Sequence, residues 1–306
     1  MWHRPFLRDE FSIISGIILV IFTQQLRYVW FVCATLTILI GPHSYNPASA
    51  ADEVVNKGHR VVTLAPHLAE VVIAAGAGEY LIGVISGTDY PASTTKIPIV
   101  GGVNGIDFEK LITLEPTMVL GWDEGTKPAD IVKLQSLGIP VRILSSNRLV
   151  DLHQQIIEVG GLFETELIAA ESARVIFARI LKLSRHQSRD HQKKIFIQIW
   201  DKPIFTIGRK HLINEGLQLC GAVNVAANYP FVAGAVSMEA VVLSGADSIL
   251  DLTGNPLSEE LEPQSIKGRH LGAFIPTVEG DANLLMRPGP RFLDGLETLC
   301  MQLRES

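Results

Sequence analysis

The stretch RVVTLAPHLAEVVIAAGAGEYLIGVI, residues 60–85, decides the fold. It opens with RVVTLA (60–65), an apolar, β-branched run of strand length. PHLAEVVIAAGAG (66–78) follows, with proline at the first helical position and glycine at the stop. LIGVI (81–85) is a second apolar run. Strand, crossover helix and strand in so short a span make a βαβ unit, and its strands run parallel.

The alternation continues outward. TDYPAS (88–93) is a turn, FEKLITL (108–114) a short helix and TMVLGW (117–122) a strand. PADIVKLQSLG (128–138) is a helix and VRILS (141–145) a strand. A helical region fills 149–192: LVDLHQQIIEVGGLF, then TELIAAESARVIFARILKLSRHQSRDHQKK. Neither Pro nor Gly interrupts 165–194, which allows one helix of about forty ångströms at 1.5 Å per residue. Strands and helices then resume: KIFIQIW (194–200), IFTIGR (204–209), a helix ending near Cys220, SMEAVVL (237–243), DSILDLT (247–253), HLGAFIP (270–276) and a last helix over 289–304. The expected fold class is α/β: two Rossmann-like lobes with parallel central sheets, joined by one long rigid helix, with a ligand cleft between them. The expected boundaries are 1–50 for a leader, 59–148 for the first lobe, 149–192 for the helical region and 193–306 for the second lobe.

The leader stands apart in composition. SIISGIILVIF (12–22) and YVWFVCATLTILI (28–40) are each short for a membrane span of roughly twenty residues. The second is laid out as a signal peptide, with Arg27 before the apolar core and Ala48-Ser49-Ala50 as a cleavage site. Retained, the same segment would be an amino-terminal anchor. Cleavage leaves two of the three cysteines, Cys220 and Cys300. An exported chain with two cysteines invites a disulfide, but spacing alone does not show that they meet. The net charge of −6 and pI of about 5.9 supply no basic face for nucleic acid.

No Walker A, GxSxG, HExxH or CxxC motif is present, so no enzyme class is indicated. Candidate binding residues lie instead where strands end. His67 directly follows the first strand, at the edge where open α/β sheets bind ligands; as a helix-start residue it also has a purely local role open to it. Trp122 and Trp200 end one central strand in each lobe, and Tyr90, Phe205, Tyr229 and Phe231 lie in adjoining loops. Two such edges facing across a cleft suit a large, flat, partly apolar ligand, the alternative being rim packing. The lobes also echo each other. DFEKLITLEPTMVLGW (107–122) aligns with SMEAVVLSGADSILDL (237–252), setting Glu109 against Glu239 at two helix starts, where the helix dipole favours an acid.

These segments, with VKLQSLGIPV, FIQIWDKPIFTIGRKHLINEGLQLCGAVNV and RPGPRFLDGLETLC, resemble the periplasmic vitamin B12-binding proteins, the substrate-binding proteins of ABC importers whose lobes share one rigid helix. The resemblance runs from about 60 to 304. It implies a monomeric, non-catalytic carrier with no cofactor of its own, whose ligand is cobalamin or a related corrinoid. It pairs Cys220 with Cys300, and it makes Glu109 and Glu239 the carboxylates that dock on the permease. It places Trp122 against the corrin, with Trp200, Phe205, Tyr229 and Phe231 in the second lobe. His67, Asp89 and Tyr90 line the first-lobe side. Arg287 is a cleft arginine, and Asn283 stands where relatives carry an acid. Gly87 and Val103 replace family aromatics, a departure that keeps haem or an iron-siderophore as alternative ligands.

Overall fold

The computed structural model describes residues 58–185, 192–254 and 275–305. The expected leader with its cleavage site and most of the HLGAFIP segment lie outside the described residues. Three-residue β1 (Val61–Thr63) runs into α1 (Pro66–Ala74), and β2 (Leu81–Gly83) returns parallel to β1. A two-residue hairpin, β3 (Gly101–Gly102) and β4 (Gly105–Ile106), precedes α2 (Phe108–Thr113). Next come β5 (Met118–Trp122), α3 (Pro128–Ser136) and β6 (Val141–Leu144). The first sheet is parallel throughout, in the order β2-β1-β5-β6, so β1 and β5 are interior.

Burial explains why these runs are so apolar. Within β5, Leu120 faces one core and Val119 the other, because successive side chains point to opposite faces. One face meets α1 and the helices that follow. The other is closed by Leu111 of α2 and Leu134 of α3.

The helical region is two helices, α4 (Leu149–Leu162) and α5 (Glu166–Ser184). They pack closely: a Cβ on Gly160 would stand 2.2 Å from the Cβ of Ala169. The first turn of α5 also meets the end of α1. Gly76 has φ +85°, and a Cβ there would come within 2.8 Å of Ile168. Farther along α5, Arg179 pairs with Asp294 (2.6 Å) and Glu297 (2.9 Å) of α9 (Phe292–Glu305), in the second lobe. One helix therefore touches both lobes. It is shorter than expected. At 19 residues it spans about 28 Å, and Lys193 and Lys194 already belong to β7. The β-branched, alternating KIFIQIW run claims that end for the sheet.

The second sheet is built on β7 (Lys193–Asp201), with β8 (Ile204–Ile207), β9 (Ala222–Asn224), β10 (Ala233–Ala235), β11 (Ser248–Asp251) and β12 (Thr277–Glu279). Its order is β10-β8-β7-β11-β12, and β9 also pairs with β7. β9, β7, β11 and β12 are mutually parallel, but β8 and β10 are antiparallel additions. The two residues between β7 and β8 leave no room for a crossover, so the chain reverses as a hairpin. The last strand falls at 277–279, just after the HLGAFIP segment. Among the described residues this lobe also has the helices α6 (Leu212–Leu219), α7 (Met238–Leu243) and α8 (Ala282–Leu285). Cys220 and Cys300 form a disulfide with Cα atoms 4.7 Å apart, fastening α9 to the end of α6. The cysteine that caps α6 is a bridge, and the pairing implied by the family resemblance is present.

Candidate binding site

The site is built on the carboxyl ends of β1 and β5. Pro66 starts α1 immediately after β1, and this sets His67 in the first turn, 2% exposed. The His67 ring meets Trp122 edge-on, with centroids 4.9 Å apart and planes at 76°. Trp122 ends β5, and its backbone N–H donates to Oγ1 of Thr126 at 2.9 Å. Its indole lies on Gly125, where a Cβ would stand 1.9 Å from Nε1. Burial, and then the charge of Arg287, push the His67 pKa down to about 3, so the imidazole is neutral. Its Nε2 is buried with no hydrogen-bond partner among the described residues. Beside Trp122, burial and then Asp123 push Glu124 up to about 7.

The segment 286–291 of the second lobe lies across α1. A Cβ on Gly289 would sit 3.0 Å from that of His67, so nothing larger than glycine fits without a shift. Two arginines flank this contact. Arg287 Nη1 donates to Oδ1 of Asp89 at 2.7 Å. Arg291 Nη2 donates to Oε1 of Glu70 at 2.6 Å, lies 3.6 Å from Asp89 Oδ1, and stacks on the Tyr90 ring at 4.1 Å. The two pairs differ in burial: the Glu70 side chain is 4% exposed and that of Asp89 51%. Burial is the largest influence on both Glu70 and Arg291. It lifts the Glu70 carboxyl above its ordinary range despite Arg291 and Arg287. On Arg291 it is outweighed by the hydrogen bond and charge of Glu70, then by Asp89, which hold the guanidinium above its usual value.

His67, Asp89, Tyr90, Trp122 and Arg287 thus converge. The second-lobe aromatics form a separate group. Trp200 faces Phe205 across the β7–β8 ladder and donates through Nε1 to the carbonyl of Lys202 at 3.2 Å. Tyr229 and Phe231 meet at 5.5 Å and 74°. Among the described residues, no ring contact joins the second-lobe rings to Trp122 or His67. Asn283 lies on α8, where its backbone N–H donates to Oδ1 of Asp281 at 2.8 Å and its own Oδ1 is buried without a partner among the described residues. Sequence reasoning passed over Glu70 and Arg291. The signal was present: Glu70 is the only charge in PHLAEVVIAAGAG, and Arg291 falls four residues after Arg287.

The echo between the lobes is structural. Asp107 caps α2 by accepting from the Lys110 N–H at 3.0 Å, and Ser237 caps α7 by accepting from the Ala240 N–H at 3.2 Å. Glu109 and Glu239 each occupy the second helical position, and both are exposed. The Glu239 carboxyl is held below its ordinary range by its own backbone N–H, and then by Ser237.

A family model described as "Periplasmic binding protein" matches residues 61–278. The chain belongs to this family. Over 247 residues it is 30% identical to the vitamin B12-binding protein of Pectobacterium carotovorum subsp. carotovorum, covering 80% of this chain and 88% of the relative. The crystal structure of the periplasmic vitamin B12 binding protein of Vibrio cholerae superposes with a TM-score of 0.71 at 27% identity, over 80% of this chain and 96% of that one. The periplasmic heme-binding protein of Roseiflexus sp. RS-1, in apo form, shares the fold with a TM-score of 0.65 at 23% identity, over 79% and 97%.

Proposed function

We propose that this chain is a periplasmic substrate-binding protein that captures cobalamin or a closely related corrinoid and delivers it to an ABC import permease. The observation that carries this is a likeness to vitamin B12-binding proteins over both lobes, and the aromatic and cationic side chains gathered around Trp122 suit such a ligand. Trp122 is pinned from two sides, so its ring is presented rigidly to a flat ligand, and Arg287 supplies donors for polar substituents. The chain is a carrier, not an enzyme. It acts as a monomer, and the leader is cleaved after Ala50. Glu109 and Glu239, one exposed carboxylate per lobe on matching helices, orient it on the permease. The unpartnered Nε2 of His67 favours one second reading, an iron chelate such as haem.

The test is a titration of the purified protein with cyanocobalamin, following tryptophan fluorescence, with haemin in parallel. Saturable one-to-one quenching by cyanocobalamin is expected. Binding of haemin alone would replace the corrinoid reading with the second one.

A further inference from the structure

Two guanidiniums, those of Arg287 and Arg291, come within 2.7 and 3.6 Å of one carboxylate oxygen, Oδ1 of Asp89, and among the described residues Arg291 alone of the two also forms an ion pair with Glu70. The two cross-lobe ion pairs are unequal. Separating Glu70 from Arg291 would strand a carboxyl whose side chain is 4% exposed, whereas Asp89 is half in solvent and returns to water at little cost. Asp89 is also on the more adaptable backbone. It follows Gly87, which has φ +80°, in an exposed loop, and a Cβ at Gly87 would meet no atom closer than 4.0 Å. Arg287, by contrast, is held between α8 and α9, and its side chain is 14% exposed.

We infer that Asp89 is a resident placeholder: its carboxylate occupies an anion site formed by Arg287 and Arg291, and an anionic group of the ligand displaces it on binding. Glu70–Arg291 stays intact as the fixed half of the contact. Asp89 then opposes binding; it is not a ligand contact. This deepens the proposed function by assigning the chemistry of the displacing group, an oxyanion such as the nucleotide phosphate of cobalamin or the carboxylates of haem.

The experiment compares the wild-type chain with Asp89→Asn, which cannot compete as an anion. The probes are cyanocobalamin, dicyanocobinamide (which lacks the phosphate), haemin and inorganic pyrophosphate. Asp89→Asn should tighten binding of the probe whose oxyanion is used by about two- to five-fold, the scale of an exposed ion pair. Cobinamide affinity should not change. A phosphate source shows as tightening for cyanocobalamin, and a carboxylate source as tightening for haemin. Weakened or unchanged binding of both would overturn the placeholder while leaving the carrier reading intact. Should neither chelate bind the wild type, pyrophosphate decides. Binding to Asp89→Asn that is lost in Asp89→Asn/Arg287→Gln upholds the anion site without the corrinoid reading, and its absence overturns both.

Discussion

His211 makes the protein's acid sensitivity calculable. It is the N-cap of α6, and its Nδ1 accepts from the Ile213 N–H at 3.2 Å. An acceptor nitrogen must be unprotonated, and the ring is 7% exposed; burial holds its pKa down at about 4 against an ordinary 6.5. The unfolded chain therefore takes up this proton first as the pH falls. Stability from this group is intact above pH 6.5 and is lost as the pH drops toward 4. Each pH unit in that window is worth about 1.4 kcal/mol, so acidification from 6.5 to 4.5 costs about 2 kcal/mol once the half-protonated starting point is allowed for. His67 acts in the same direction and Glu124 in the opposite one, so the total is not diagnostic. A difference is. Asparagine caps helices well and does not titrate. Urea unfolding of wild type and His211→Asn at pH 6.5 and 4.5, at fixed ionic strength, should show the wild type losing about 2 kcal/mol more than the variant. Parallel losses would refute the neutral-acceptor assignment.

Three further predictions rest on the site and its supports. Removing the bridge with Cys220→Ser/Cys300→Ser, which frees a loop with a sequence separation of 80 residues, should lower stability by about 4 kcal/mol in chemical denaturation. Glu70→Ala leaves Arg291 with Asp89, 3.6 Å away, as its remaining ion-pair partner and should cost about 3 kcal/mol, whereas Glu70→Met/Arg291→Leu should recover much of that in a double-mutant cycle. Trp122→Ala should weaken cyanocobalamin binding by at least ten-fold, about 1.4 kcal/mol or more, by calorimetry while leaving the far-ultraviolet circular dichroism spectrum unchanged.

Most of the fold was legible because apolar runs bounded by proline and glycine report sheet interiors directly. β5 and β11, each flanked by a capped short helix, sit where their hydrophobic patterns predict. The antiparallel β8 was not, since period-two patterning carries no strand direction; only the two-residue link after Asp201 does. The site was legible in part. His67, Trp122 and Arg287 were marked by their places at strand ends or in a recognisable motif. Glu70 and Arg291 were missed because a charge inside an apolar helix reads as surface until its partner, 221 positions away in the chain, is known.

The seam between Gly160 and Ala169 has an angular meaning. A lever of about 28 Å turns through about 2° for each ångström of slip at its end. A hinge swing of ten degrees would then demand about 5 Å of slip, and a seam without space for a methyl group absorbs a small part of that. For the carrier proposed above, admission of a ligand then falls to loop residues exchanging partners, with the two halves of the protein holding nearly constant aim.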